Sequence, residues 1–254
     1  MYFFSGKKLE IILKKLKSEF NLSGIKAEFE AEGSSVADIV RLRNLTLNNN
    51  VKLFVKIGGV EALNDIYECI DAGVDGIIAP MVETKFALKK FLDSINSLKI
   101  QNRPDLTINI ETKTGVENFD DILSHAIGNI ENITIGRSDL SSSYYSRKIT
   151  QNSNQILNTI LKIGKKINNK GINLCVGGGV NKDTILKYSQ HANIKLIKKM
   201  ETRKVILPTN MMFKKNALDT AIAFETNYIF YKKEIQDLKM NPEINRLTNL
   251  KTRK

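Results

Sequence analysis

Thr107-Ile108-Asn109-Ile110-Glu111-Thr112-Lys113 decides the fold class. Ile108 and Ile110 fall on one face; Thr107, Asn109, Glu111 and Lys113 fall on the other. Alternation with period two marks a strand, because successive side chains point to opposite faces. The apolar face can meet a layer of helices, while the polar face ends in a carboxylate. A helical pattern follows from Val116 to Ile127, and Gly128 stops it. In parallel α/β proteins, chemistry is built at the C-terminal ends of strands. Glu111 is therefore the first candidate residue.

The same strand-then-helix unit recurs on both sides of this stretch. Ile25 to Glu32 alternates, with Ala27, Phe29 and Ala31 opposite Lys26, Glu28, Glu30 and Glu32. Strands are also predicted over Val51 to Ile57, Gly76 to Val82, Asn132 to Gly136 and Ile172 to Val176, with a last one within Ile194 to Leu207. Between them lie helical patterns: one capped by Ser34-Ser35, then Glu61 to Ala72, Lys85 to Leu98, Asn154 to Ile167 and Lys182 to Gln190. Such alternation is the signal of a parallel sheet. In 254 residues, it predicts an α/β fold, a (β/α)8 TIM barrel forming one domain over 1–254. No GxGxxG follows the first strand, which argues against an open dinucleotide-binding sheet. Seven strands can be read, so the first or eighth is degenerate or hidden, with Met1 to Phe4 as one place for it. An incomplete barrel is the alternative. An N-terminal segment, 1–24, carries an amphipathic helix from Leu9 to Phe20. A long C-terminal helix spans about 215–240.

Composition narrows the function classes. Apolar residues make up 42% of the chain, enough for a core. No run approaches the roughly 18 apolar residues of a membrane helix. The first residues place their lysines after an apolar run, the reverse of a signal peptide. Cys69 and Cys175 are assigned to a helix and a strand, so neither a disulfide framework nor a zinc site is expected. The expectation is a cytoplasmic protein without a membrane partner. Lys and Arg number 39 against 27 Asp and Glu, a formal charge of +12. The lysines are scattered with no aromatic-interleaved stripe, which disfavours nucleic acid and favours a small anionic substrate.

Charged residues on the polar faces of the strands would point into the barrel. There Lys26, Glu28, Glu30, Lys56, Asn109 and Glu111 must pair, bind a metal, or lie near the open top. One reading is a purely structural ion-pair network of Lys26 and Lys56 with Glu28 and Glu30. Glu111 ends one strand and Asp139 follows the next, one βα unit later. Neighbouring strands lie roughly 4.8 Å apart, so these carboxylates can share a hard cation, Mg²⁺ or Mn²⁺. Helix capping or ion pairing is the bland alternative. His125 and His191 fall in helical stretches, which leaves proton transfer to a carboxylate, a lysine or metal-bound water. Gly177-Gly178-Gly179 follows a late strand, where glycine loops cradle phosphate or simply turn. Near the last strand, Glu201, Arg203 and Lys204 bind an anion or pair with one another.

Three motifs together carry a family resemblance: Gly73-Val74-Asp75-Gly76-Ile77-Ile78-Ala79-Pro80-Met81-Val82-Glu83, Ile110-Glu111-Thr112, and Ile135-Gly136-Arg137-Ser138-Asp139-Leu140-Ser141. In this order and spacing the chain resembles the HpcH/HpaI-type aldolase and citrate lyase β-subunit family, from about Ile25 to Leu207. The resemblance implies a (β/α)8 barrel that makes or breaks a C–C bond beside a 2-oxo acid such as pyruvate, through a metal-stabilised enolate. It places the metal on Glu111 and Asp139, and the substrate carboxylate on backbone N–H groups after Gly136, among Gly136, Arg137 and Ser138. It also implies a homo-oligomer whose last helix is swapped between subunits. The chain departs from the family at two places. Lys56 stands where an arginine is usual, and Glu28-Phe29-Glu30-Ala31 lacks the base histidine.

The functional expectation is a divalent-metal-dependent C–C lyase or aldolase of a 2-oxo acid. Glu111 and Asp139 hold the metal, Lys56 polarises the carbonyl, and Glu28 or Glu30 replaces the base. Gly136, Arg137, Ser138 and Arg203 bind substrate. The alternatives are a Schiff-base aldolase using Lys26 or Lys56, and a non-catalytic barrel that binds a small anion.

Overall fold

A computed structural model describes residues 4–252. In chain order the elements are α1 (Phe4–Phe20), β1 (Gly24–Glu28), α2 (Val36–Asn48), β2 (Leu53–Lys56), α3 (Leu63–Asp71), β3 (Gly76–Ala79) and α4 (Lys85–Asn96). There follow β4 (Asp105–Ile110), α5 (Lys113–Glu117), α6 (Phe119–Ala126), β5 (Asn132–Gly136), α7 (Arg137–Ser142), α8 (Asn154–Ile167) and β6 (Asn173–Gly177). The chain continues through α9 (Lys182–Ser189), β7 (Lys199–Glu201), β8 (Val205–Pro208), α10 (Thr209–Met212) and α11 (Ala217–Lys251). The strands close into one barrel in sequence order, β1 to β8. The expected α/β barrel is what forms.

The helices begin where capping chemistry allows. Ser35 caps α2 in a reciprocal box with Asp38, and Thr84, Ser153 and Asn181 cap α4, α8 and α9. Each side-chain oxygen takes one of the backbone N–H groups that a helix start leaves unpaired. Their apolar faces, such as Ile156, Ile160, Ile163 and Ile167 of α8, pack on outward-facing strand residues in one continuous core. Two helical segments differ from expectation: the pattern over Val116 to Ile127 breaks at Asn118 into α5 and α6, and the serine stretch after Gly136 is the short helix α7.

The hidden strand is β8. From β1 to β7 neighbouring strands run parallel, but β8 runs antiparallel to both β7 and β1. Only Thr202, Arg203 and Lys204 separate β7 from β8. A connection that short can only reverse the chain, because a parallel crossover needs a dozen or more residues. Two short strands of this hairpin occupy the region read as one strand. Phe4 opens α1, and Met1 to Phe3 lie outside the described residues. Because β7 runs to the top of the barrel, the hairpin turn lands at the mouth.

The barrel interior is divided. On one side Phe54, Ile78 and Ile206 form a small apolar plug, and the Phe54 ring fills the space over Gly24 and Gly76. On the other side the inward residues are polar. Asn132 donates to Thr107 Oγ1 at 3.2 Å and accepts from Asn173 and Lys199, each at 3.3 Å. Interiors of such barrels are usually apolar layers, so a polar floor here supports a polar mouth. Cys69 in α3 and Cys175 in β6 are buried free thiols, in the helix and strand to which the sequence assigns them. Outside the barrel, α1 packs along α11. From Gln236 to Lys251 every residue of α11 is exposed.

Candidate active site

One pocket of about 230 Å³ opens at the C-terminal ends of the strands. Lys26, Glu28, Lys56, Asn109, Glu111, Thr134, Gly136, Ser138, Asp139, Glu201 and Arg203 line it, with Ala31, Gly178, Gly179 and Thr202 at its edge. Period-two alternation brings the strand residues there: Lys26 and Glu28 of β1, Lys56 of β2, Asn109 of β4 and Glu201 of β7 share the inward face.

On the β4–β5 side stand Glu111 and Asp139. The Glu111 carboxylate is buried and accepts from Met81 N–H at 3.1 Å and Asn109 Nδ2 at 3.2 Å. Burial pushes its pKa above the ordinary value, and the charge of Asp139 adds to the rise. Lys56 and the two hydrogen bonds only partly offset this. Asp139 lies in the first turn of α7, exposed at the rim. Asn109 Oδ1 is buried beside Glu111 and has no hydrogen-bond partner. Gly136 gives the Glu111 carboxylate its room, since a Cβ at that position would collide with it. The donors here are all oxygen, the set that hard divalent cations take. Among the described residues no group of three or more His, Cys, Asp or Glu side chains converges. A cation at this rim would therefore take two carboxylates and fill its remaining positions with water or substrate oxygens.

On the β1–β2–β7 side stand two lysine–carboxylate pairs, one of them joined by Arg203. Lys56 Nζ lies 2.9 Å from Glu28 Oε1, and Arg203 approaches the other oxygen of Glu28 at 3.9 Å. Burial opposes the charge on Glu28, but Lys56, Lys26 and Arg203 outweigh it and hold the carboxyl below its ordinary value. Lys26 donates to Glu201 Oε1 at 2.6 Å. Burial alone would lower the Lys26 pKa, yet Glu201 reverses the effect and keeps the ammonium charged. The expected network of Lys26 and Lys56 with Glu28 and Glu30 thus forms with Glu201 in place of Glu30.

Two expected site residues stand elsewhere. β1 ends at Glu28, so the alternation stops and Glu30 turns out of the barrel, where it is exposed beside Gly58. Arg137 is fully buried and points behind the pocket. Its guanidinium donates to Gly177 O at 2.9 Å, Gly178 O at 2.8 Å, Asn152 Oδ1 at 3.0 Å and Thr184 Oγ1 at 3.2 Å, and it lies over the Tyr188 ring. Arg137 therefore holds the glycine loop, while Gly136 and Ser138 line the pocket. Gly178 fits with a positive φ of 76° against the backbone N–H groups of Arg137 and Ser138. His191 lies just past α9, where its Nδ1 accepts from Asn193 N–H, and it is not in the pocket. The sequence grouped Glu201 with Arg203 and Lys204 as an anion site or a set of mutual pairs, but each pairs elsewhere: Glu201 with Lys26, Arg203 with Glu28 and Lys204 with Glu32.

Beside the mouth, Lys204 pairs with Glu32 and lies 4.6 Å from the centre of the Tyr228 ring. That contact ties the β7–β8 turn, the loop after β1 and α11 together. Among the described residues no helix is long and apolar enough to cross a membrane.

The profile of the HpcH/HpaI aldolase/citrate lyase family matches residues 35–197, more than half of the chain. A search of curated proteins finds no match. Among solved structures, a HpcH/HpaI aldolase/citrate lyase family protein from Burkholderia cenocepacia superposes with TM-score 0.63 at 11% identity, over 92% of this chain and 90% of that one. A HpcH/HpaI aldolase from Desulfitobacterium hafniense gives TM-score 0.59 at 15% identity, over 87% and 88%. A variant of the citrate synthase SbnG gives 0.57 at 17% identity, over 78% and 81%.

Proposed function

Because the chain belongs to the HpcH/HpaI aldolase/citrate lyase family, we propose that it is a divalent-metal-dependent C–C lyase or aldolase that acts on a pyruvate-like 2-oxo acid. One observation carries the reading. A buried carboxylate of raised pKa, Glu111, stands beside Asp139 at the top of the barrel, with a lysine–carboxylate pair facing it across the same pocket.

Glu111 and Asp139 would hold Mg²⁺ or Mn²⁺. Bound there, such an ion supplies Lewis-acid stabilisation of negative charge on the 2-oxo acid. The chain's own groups account for the rest. Backbone N–H groups around Ser138 orient the substrate carboxylate. Lys56 sets its ammonium between Glu28 and Glu111 and favours the enolate over the ketone. Glu28, held ionised by Lys56, takes the proton from C3 and returns it. Arg203 draws the anion to the mouth. Met81 N–H and Asn109 fix the Glu111 carboxylate in place.

A Schiff-base reading needs a neutral lysine. Lys26 is held charged by Glu201 at 2.6 Å, which favours the metal reading. The exposed distal half of α11 carries Met240, Ile244 and Leu247 on one side. These residues fit a homo-oligomer in which that helix packs on a second copy. The deciding experiment is titration calorimetry with Mn²⁺ and oxalate on the wild type, Glu111→Ala and Asp139→Ala. Both substitutions should abolish cation binding. Unchanged affinity in either would sink the reading. Borohydride trapping of protein with pyruvate should leave no adduct.

A further inference from the structure

An aldol cleavage moves two protons: one leaves the C4 hydroxyl as the bond breaks, and one is returned to C3 of the enolate. The pocket holds two buried lysine–carboxylate pairs, and the mechanism above uses only Glu28 with Lys56. The second, Glu201 with Lys26, is as deeply buried and lines the same cavity.

The barrel register says what lies between Glu201 and the metal side. Gly136 of β5 and Gly177 of β6 are directly paired. The Glu111 carboxylate folds over Gly136 from β4. That of Glu201 folds over Gly177 from β7, where an added Cβ would lie 2.7 Å from its Oε1. The two carboxylates thus face one another over a floor with no side chains. The glycines are one strand spacing apart, roughly 4.8 Å, the reach of a short carbon chain. A 2-oxo acid anchored at the Glu111 end extends its C4 substituent over this floor toward Glu201.

We propose that Glu201 is the catalytic base for the C4 hydroxyl, and that Lys26 is the residue that positions it. The proposal rests on the aldolase reading. In the cleavage direction the Glu201 carboxylate takes the hydroxyl proton. The O–H electron pair becomes the second bond of the released carbonyl, the C3–C4 bond breaks, and its pair remains on C3 as the enolate. C3 then takes a proton from solvent, handed on through Glu28, and Glu201 releases the hydroxyl proton to solvent, so that both carboxylates end ionised. In condensation each transfer reverses. Lys26 keeps its proton throughout and holds the Glu201 carboxylate toward the floor. The family match ends before β7, so this pair is a feature of the chain outside the matched region.

The test separates the two proton transfers in Mg²⁺-loaded protein. Deuterium exchange at C3 of pyruvate, followed by NMR in D2O, reads enolisation. Pyruvate release from 4-hydroxy-4-methyl-2-oxoglutarate and other 4-hydroxy-2-oxo acids reads bond cleavage. Glu201→Gln should lower kcat for cleavage by about 10²–10⁴-fold, the usual contribution of a positioned base, while exchange stays within about threefold. The double variant Lys26→Met/Glu201→Met removes the pair without stranding a charge and should behave alike, which keeps the test valid if Glu201→Gln folds poorly. Cleavage unchanged, or cleavage and exchange falling together, would overturn the role of Glu201. A wild type that neither exchanges C3 hydrogens nor cleaves any of these acids would instead overturn the aldolase reading itself.

Discussion

The Glu111 carboxylate lies directly over Gly136 of the neighbouring strand, in the space that any larger residue would fill. Gly136 has φ of −81°, which alanine adopts without strain, so the glycine serves space rather than backbone freedom. Gly136→Ala should therefore fold and lose about 1–3 kcal/mol of stability through overpacking. Cation affinity should drop by about 10–100-fold, as when the support of a ligand is disturbed. Mn²⁺ calorimetry beside thermal unfolding checks both. Intact affinity would mean that Glu111 is not a ligand.

Glu28 gives a pH signature. Its carboxyl is held below the ordinary value of 4.5 by Lys56 despite burial. A depressed folded-state pKa stabilises the protein above the unfolded value, and that contribution fades as pH falls through the folded one. Glu28→Gln should cost about 1–3 kcal/mol at neutral pH, the worth of a charged hydrogen bond. The gap from wild type should hold steady down to about pH 5 and narrow below it. Urea unfolding at a series of pH values reads the gap. A gap that widened in acid would contradict the ion-pair assignment.

The barrel and the place of Glu111 in the pocket were legible because both rest on periodicity. Alternation around Ile108 and Ile110 gave the strand, and its end gave Glu111. What failed was the length of the periodic run. Ile25 to Glu32 alternates throughout, yet the paired register with β2 ends at Glu28 and Lys56, so Glu30 leaves the barrel. Alternation reports which side a residue would take in a strand, not where the strand ends. Arg137 was misjudged for a related reason. It is adjacent to pocket residues, but α7 starts there and turns its side chain behind the glycine loop. Glu201 was noted near the last strand, but its inward direction and its pairing with Lys26 were not legible, because a two-strand hairpin has too few residues to show any period.

Arg137 offers a sharp structural test. One guanidinium satisfies two loop carbonyls, Asn152 and Thr184 in a fully buried place. Arg137→Met keeps the volume and strands those acceptors, each worth about 1–3 kcal/mol. The variant should lose about 3 kcal/mol or more in all, and should show faster hydrogen exchange in the Gly177-to-Val180 loop. A substrate-binding arginine would instead change KM and leave stability alone.

Arg203 is the arginine expected to touch substrate. It sits in the β7–β8 turn at the mouth, half exposed, and its nearest acid is Glu28 at 3.9 Å. Glu28 already has Lys56 at 2.9 Å, so Arg203 spends little of its charge within the protein. Fields from such groups act mainly on encounter with a charged ligand and are screened by salt over about 10 Å at 0.1 M. Arg203→Ala should raise KM for an anionic substrate about three- to tenfold with kcat nearly unchanged, and should flatten the dependence of kcat/KM on ionic strength. Arg203→Glu should raise KM further. Steady-state kinetics from low to high salt decide the matter: a loss of kcat with KM intact would place Arg203 in the chemical step, and no change in either would leave the anion to Lys56 and the backbone of α7.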